Sequence, residues 1–226
     1  HLAAQAGVRL SVQNPNLYHR NNIVGTQNIL DLAVHTKVKN LVLASSSSVY
    51  GGIEEVPFHE KMEISSPISP YADTKRSNEL MAYCYHHNYG LNINALRFFT
   101  VYGPAQRPDM AIHKFALAIA AGKELNIYGD GQSSRDYTYI SDIIAGVVAA
   151  IDRPQGFEIF NLGGHKRTLL KDLVNGLSNR LGKEAKIVNI PQQMGDVRHT
   201  YADISKAQKL LDYNPETFID EGLDHF

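Results

Sequence analysis

The chain has 226 residues, 43% of them hydrophobic and 20% charged, with 22 Lys and Arg against 23 Asp and Glu. That composition is that of a globular protein with a sizeable core. A formal net charge of −1 gives no case for nucleic acid or an acidic membrane surface, and no apolar run approaches the roughly 18 residues of a membrane-spanning helix.

The first residues, His1-Leu2-Ala3-Ala4, read as the end of a buried strand entering a loop, and they lack the charged and apolar regions of a signal peptide. Leu17 to Val34 carries apolar residues at helical spacing. Asn40 to Ala44 is a short apolar run ending in serines, as expected of a buried parallel strand. Pro70 to Tyr89 reads as a helix stopped by Gly90. Leu91–Phe99 reads as a strand and Met110–Ala121 as a helix. Short strands follow at Leu125–Tyr128 and Asp136–Tyr139. Ser141 stands where an N-cap belongs, before an apolar helix to Ile151. Phe157–Leu162 reads as a strand, Thr168–Leu181 as a helix with Thr168 as N-cap, and Ala185–Ile190 as a strand. Two short helices follow, from Ser205 and from about Ile219. Strands alternating with helices predict an α/β protein with a parallel sheet. The pattern loosens near Pro104–Asp109, where a smaller second lobe begins, interleaved with the first.

Three segments carry chemistry. Ser45-Ser46-Ser47-Ser48-Val49-Tyr50-Gly51 follows a buried strand, and ligands of open α/β sheets bind at such strand ends. Alone, the serine run reads first as a turn closed by its own hydroxyls. Tyr71 and Lys75 are four apart on a helix and share a face. A phenol titrates at about 10, and a cation beside it favours the phenolate. Lys75 is therefore expected to acidify Tyr71 into a base for an alcohol proton; taken alone, such a pair is also common on exposed helix faces. Leu96 to Pro104 (Leu-Arg-Phe-Phe-Thr-Val-Tyr-Gly-Pro) is a strand running into a loop.

In this order and spacing the three segments closely resemble the extended short-chain dehydrogenase/reductases, in particular the nucleotide-sugar 4-epimerases. The likeness extends to Asn22-x-x-Gly25-Thr26, to Gly129-Asp130-Gly131 with Arg135-Asp136-Tyr137 and Asp142, to Asn161-Leu162-Gly163-Gly164, and to Gly195-Asp196-Val197-Arg198 with Ala202-Asp203. It implies NAD as cofactor and a UDP-sugar as substrate. Tyr71 would be the catalytic base, Lys75 would hold the nicotinamide ribose, and Ser46 would bond the reacting sugar hydroxyl. Leu2, Ala3, Ala4 and Phe98 would contact the cofactor. Ser47, Ser48 and Thr100 would face the sugar. Arg135 and Arg198 would take the diphosphate with their planar donor forks, or stand as surface arginines. Two readings stand for Tyr128, a stack on uracil or a core cap, and two for Asp196, a nucleoside contact or a turn cap. The run from Phe99 to Ala111 most resembles UDP-glucuronate 4-epimerases. Arg107 would then meet a sugar carboxylate, or pair with Asp109. Gln106 stands where the family pattern has glycine. Dehydratase relatives carry an Asp–Glu pair where Ser47 and Ser48 stand, and decarboxylating relatives a Glu at Ser48, which leaves 4-epimerisation through a 4-keto sugar.

The family's Gly-rich cofactor loop has no match in this sequence: neither G-x-G-x-x-G nor G-x-x-G-x-x-G occurs. The expectation is an incomplete doubly wound, Rossmann-like parallel sheet over residues 1–103. A smaller α/β substrate-binding lobe would lie mainly within 104–226. The chain would be inactive alone, with about 60–80 residues missing from its N-terminal side. An uncovered sheet edge tends to pair, so a homo-oligomer through that edge is expected. Two rival readings are a non-catalytic remnant that binds UDP-sugars or oligomerises, and a nucleotide-sugar reductase. The single Cys84 and the absence of a signal sequence lead to an expected cytoplasmic location. The ten His show no ligand spacing, so no metal site is expected.

Overall fold

The structure is a computed structural model that describes residues 1–191 and 197–226. Its elements run α1 (Val8–Gln13), α2 (Pro15–Tyr18), a π-helical turn (His19–Val24), α3 (Gly25–His35), β1 (Leu41–Ser46) and a 3-10 turn (Ser47–Tyr50). Then come α4 (Pro70–Tyr89), β2 (Ile93–Phe98), β3 (Thr100–Tyr102), α5 (Ala111–Ala120), β4 (Glu124–Tyr128) and β5 (Ser134–Tyr139). The remainder is α6 (Ile140–Asp152), β6 (Phe157–Leu162), β7 (Arg167–Leu169), α7 (Leu170–Leu181), β8 (Lys186–Ile190), α8 (Ser205–Leu211) and α9 (Ile219–Asp224).

The first sheet is parallel in the order β1-β2-β6, with Leu41 opposite Ile93 and Ile93 opposite Phe157. The His1 amino group donates to Val42 O (2.7 Å), and Ala44 N donates to His1 O (3.1 Å). These two bonds flank Leu43, which is the parallel-ladder pattern. His1 therefore extends this sheet beyond β1 as the sequence suggested, while Leu2, Ala3 and Ala4 leave it and are exposed. Both faces of the sheet are covered. Leu43 and Ile93 pack with Leu30, Ala33 and Ala82 of α3 and α4. Val42, Leu96 and Phe160 pack with Ile143 and Ala207 of α6 and α8. Burial on both sides is why these strands read as unbroken apolar runs.

The second lobe holds two small sheets, β3-β5-β7 and β4-β8. Its core joins Tyr102, Ile112, Ile119, Leu173, Leu177 and Leu223. β6, α6 and α8 return to the first sheet after β5 has paired in the second.

Some boundaries differ from the sequence reading. The helix expected from Thr168 starts at Leu170, and Thr168 instead sits in β7 opposite Arg135. Backbone pairing to β5 takes the donors that capping would have used. Neither Thr168 nor Ser141 caps; the caps of α7 and α6 are the extended residues Leu169 and Tyr139, without side-chain bonds. α1, β3 and the 3-10 turn were not read as elements; each is three to six residues long, too short to show a period.

Candidate active site

The site gathers where β1 ends and α4 begins. Ser69 caps α4 by accepting from Ala72 N (3.1 Å), and Pro70 occupies the first turn. Both residues suit those positions. This places Tyr71 in the first turn, and Gly90 closes the helix in the left-handed conformation at φ +67°. Asn22 locks the approach. Its amide donates to Gln5 O (3.0 Å) and to Thr74 Oγ1 (3.0 Å), and its oxygen accepts from Gln5 N (2.7 Å). Asn78 donates to Thr26 Oγ1 (3.0 Å). The Asn22-x-x-Gly25-Thr26 pattern thus ties the N-terminal loop to α4.

Ser46 has a structural duty in addition to the expected one. Its hydroxyl accepts from Ser48 N (3.2 Å) and caps the 3-10 turn. It also faces Tyr71, where it favours the phenolate. Lys75 is buried, and its ammonium donates to Ala44 O (2.7 Å). It lies 5.9 Å from the Tyr71 ring centroid.

The expected acidification of Tyr71 is not the balance found here. Burial pushes the phenol up, outweighing the pull of Ser46 and of the Arg107 guanidinium. Lys75 is itself lowered to about 8 by burial, against the opposing charge of Glu79. The physical reason is that the strand end that hides the phenol also hides the ammonium, so both are driven toward neutrality.

Beside these groups is a cavity of about 150 Å³ lined by Ser47, Ser48, Thr100, Arg135, Thr200 and Arg9, among others. Ser69 also lines it and links it to the turn carrying Tyr71. Arg135 donates to Ser134 O (3.0 Å) and Arg198 O (3.1 Å). Of the other expected residues, Phe98 ends β2 half-buried against the sheet core. Arg107 forms the bidentate pair with Asp109 (2.9 and 2.6 Å). Arg198 is exposed and pairs with Asp130 (3.2 Å). Tyr128 carries the Arg9 guanidinium 4.6 Å over its ring. Asp196 lies outside the described residues. Gln106 is held by its loop, donating to Val101 O (3.0 Å). Among the described residues no three His, Cys, Asp or Glu side chains gather as a metal set, and no helix is long and apolar enough to cross a membrane.

Sequence reasoning missed Arg9 and Glu79, and it gave no role to Arg97 and Asp136, which it noted only as members of longer motifs. Asp136 is fully buried and accepts from Gly164 N (2.6 Å) and Ala202 N (3.0 Å), which pins the loops beside the cavity. The glycines allow it. A Cβ on Gly163 would lie 2.5 Å from that of Ala202, and one on Gly164 2.6 Å from Tyr137 O. A charged residue inside an apolar strand, as Arg97 is, was the available signal for a buried ion pair.

The protein-family model described as GDP-mannose 4,6 dehydratase matches residues 1–226. A UDP-glucuronate 4-epimerase of Thermodesulfobacterium geofontis is 50% identical over 224 residues, covering 99% of this chain and 69% of its own. An uncharacterised protein of Methanocaldococcus jannaschii is 51% identical over 226 residues, covering 100% and 69%. The solved structure of a UDP-glucuronic acid 4-epimerase from Bacillus cereus, in complex with UDP-glucuronic acid and NAD, superposes with a TM-score of 0.95 at 40% identity. It covers 100% of this chain and 72% of its own. This chain therefore belongs to the extended short-chain dehydrogenase/reductase family, among its NAD-dependent nucleotide-sugar 4-epimerases.

Proposed function

We propose that this chain carries the acid–base and sugar-binding part of a 4-epimerase acting on a UDP-sugar of the glucuronate or the glucose/galactose type. The carrying observation is that Tyr71 and Ser46 meet at the end of β1 beside a cavity lined by hydroxyls and Arg135. Ser46 holds the C4 hydroxyl of the sugar, and Tyr71 in its phenolate form, which Ser46 and Arg107 favour against burial, accepts the hydroxyl proton and later returns it. A bound nicotinamide dinucleotide supplies the acceptor and donor of hydride at the same carbon. Inversion follows if the 4-keto sugar turns over before hydride returns.

The nicotinamide-ribose end of that cofactor fits the residues present. Lys75 is a buried ammonium that gives one of its three donors to Ala44, which leaves two for a ribose diol. Phe98, Leu2, Ala3 and Ala4 lie along the same strand ends and are the further cofactor contacts we assign. No Gly-rich phosphate loop occurs in the 226 residues, so turnover by this chain alone is not expected. Ser47, Ser48 and Thr100 take the sugar and Arg135 the diphosphate. Arg198 is assigned to the diphosphate as well, and Asp196 and Tyr128 to the nucleoside, with the face of Tyr128 shared with Arg9. Arg107 reaches a sugar carboxylate only by loosening its pair with Asp109. We also assign a homo-oligomer.

A thermal-shift titration tests the reading. A ligand at 100 times its Kd stabilises by about 2.7 kcal/mol, roughly 5–10 °C for a chain of this size. UDP-glucuronate is expected to raise the midpoint, NAD alone to leave it in place, and Arg135→Ala to weaken the UDP-glucuronate shift. No shift with millimolar UDP or UDP-glucuronate would overturn it.

A further inference from the structure

Tyr71, Lys75 and Glu79 are spaced four apart along α4 and form one row. The row meets three consecutive residues of β1. Lys75 donates to Ala44 O (2.7 Å), Glu79 accepts from Ser45 Oγ (2.6 Å), and Tyr71 faces Ser46. Glu79 is 1% exposed, and both of its oxygens are bonded. Arg97 Nε donates to Oε1 (2.8 Å), while Arg97 Nη2 (2.8 Å) and Arg76 (3.1 Å) donate to Oε2. Arg97 comes from β2 and is also buried; its Nη1 donates to Tyr50 Oη (3.0 Å). Tyr50 in turn donates to Asn161 of β6 (2.7 Å). One carboxylate thus ties α4 to β1 and β2 directly, and to β6 through Arg97 and Tyr50.

Stability alone does not explain this pair. Apolar side chains of similar volume serve a core as well as a buried ion pair does. What the bidentate fork adds is geometry. One residue of helical slip turns α4 by about 100°, and that would separate Glu79 from Arg97 and Tyr71 from Ser46 together.

We propose that Glu79 is a positioning residue: clamped by Arg97, it sets the rotation of α4 that brings Tyr71 to Ser46, and it supplies the counter-charge to Lys75 one turn away. The role rests on Tyr71 and Lys75 acting as the catalytic pair. Glu79 is the group that opposes the fall in the Lys75 pKa. The other titratable groups facing Lys75 are Tyr71 and the amino group of His1; Arg97 and Arg76 face Glu79.

The test is the titration of Lys75 in the 226-residue chain, followed by NMR of 13C-labelled lysine and assigned with Lys75→Arg. Glu79→Gln is the first variant. Glu79→Leu with Arg97→Met is the second, since it replaces the pair by apolar groups where the single change fails to fold. The Lys75 midpoint is expected to fall by about one pH unit, a tenfold loss of proton affinity, in each variant that folds. A scaffold role alone would leave it in place, and an unchanged midpoint overturns the proposal. If neither variant folds, the parent decides: the Glu79 carboxyl carbon must show an inflection at the Lys75 midpoint, and its absence overturns the proposal. None of these outcomes touches the UDP-glucuronate titration, so the epimerase reading stands or falls separately.

Discussion

Replacing Arg97 by Met measures how much of the fold depends on one buried charge pair. Arg97 is 1% exposed and gives three hydrogen bonds, two to Glu79 and one to Tyr50. Met fills much of the same volume, so lost packing is a small part of the effect. What remains is a buried carboxylate whose nearest cation is Arg76, itself partly exposed. Stranding one member of a buried pair costs about 3–5 kcal/mol. The surviving bonds from Ser45 and Arg76 put the expectation near about 3. At about 2–4 °C per kcal/mol for this size, the melting temperature should fall by roughly 6–12 °C. Urea unfolding followed by circular dichroism reads the free energy directly. Adding Glu79→Leu should recover at least half of the loss, because it removes the stranded charge. A loss under about 1 kcal/mol, or a double variant no more stable than the single one, would refute this account of the pair.

Asp136 should make stability depend on acid in an unusual sense. Burial pushes its carboxyl up to about 6, above its ordinary 3.8, despite the N–H groups of Ala202 and Gly164. The folded state therefore binds the proton more tightly, and this group's contribution grows as pH falls from about 6 to about 4 and is flat above. The difference is about 3 kcal/mol; urea midpoints of the parent minus those of Asp136→Asn across that range should show it, and the opposite slope would contradict it. Gly222→Ala should destabilise by about 1–3 kcal/mol, since its Cβ would press on the buried Tyr102, 2.6 Å from Cζ; an unchanged melting temperature would mean that Tyr102 yields. Ser69→Ala should cost about 1 kcal/mol through the lost cap of α4 and should loosen the turn holding Tyr71. Hydrogen exchange at Ala72, faster in the variant, checks it.

Much of the first sheet and the helix of Tyr71 could be read from the sequence, because periodicity and stop signals act over a few residues. Pro70–Tyr89 and Phe157–Leu162 have the bounds that their patterns announce. The Ser46, Tyr71 and Lys75 types at their spacing pointed to the nucleotide-sugar epimerases, and the likeness to known proteins places the chain there. Thr168 misled because a side chain fit to cap carries no information on whether a distant strand will claim the backbone first, and Ser141 because α6 starts one residue earlier, straight off the end of β5. The direction of the Tyr71 and Lys75 shifts also lay beyond the sequence. It depends on how much water is removed from each group, and chain segments far apart in sequence remove it. The same holds for Glu79 and Arg97, eighteen positions apart on different elements, which only the packing of α4 on β2 brings to 2.8 Å. Local residue order settles which elements form; desolvation and charge pairing arise once those elements are stacked.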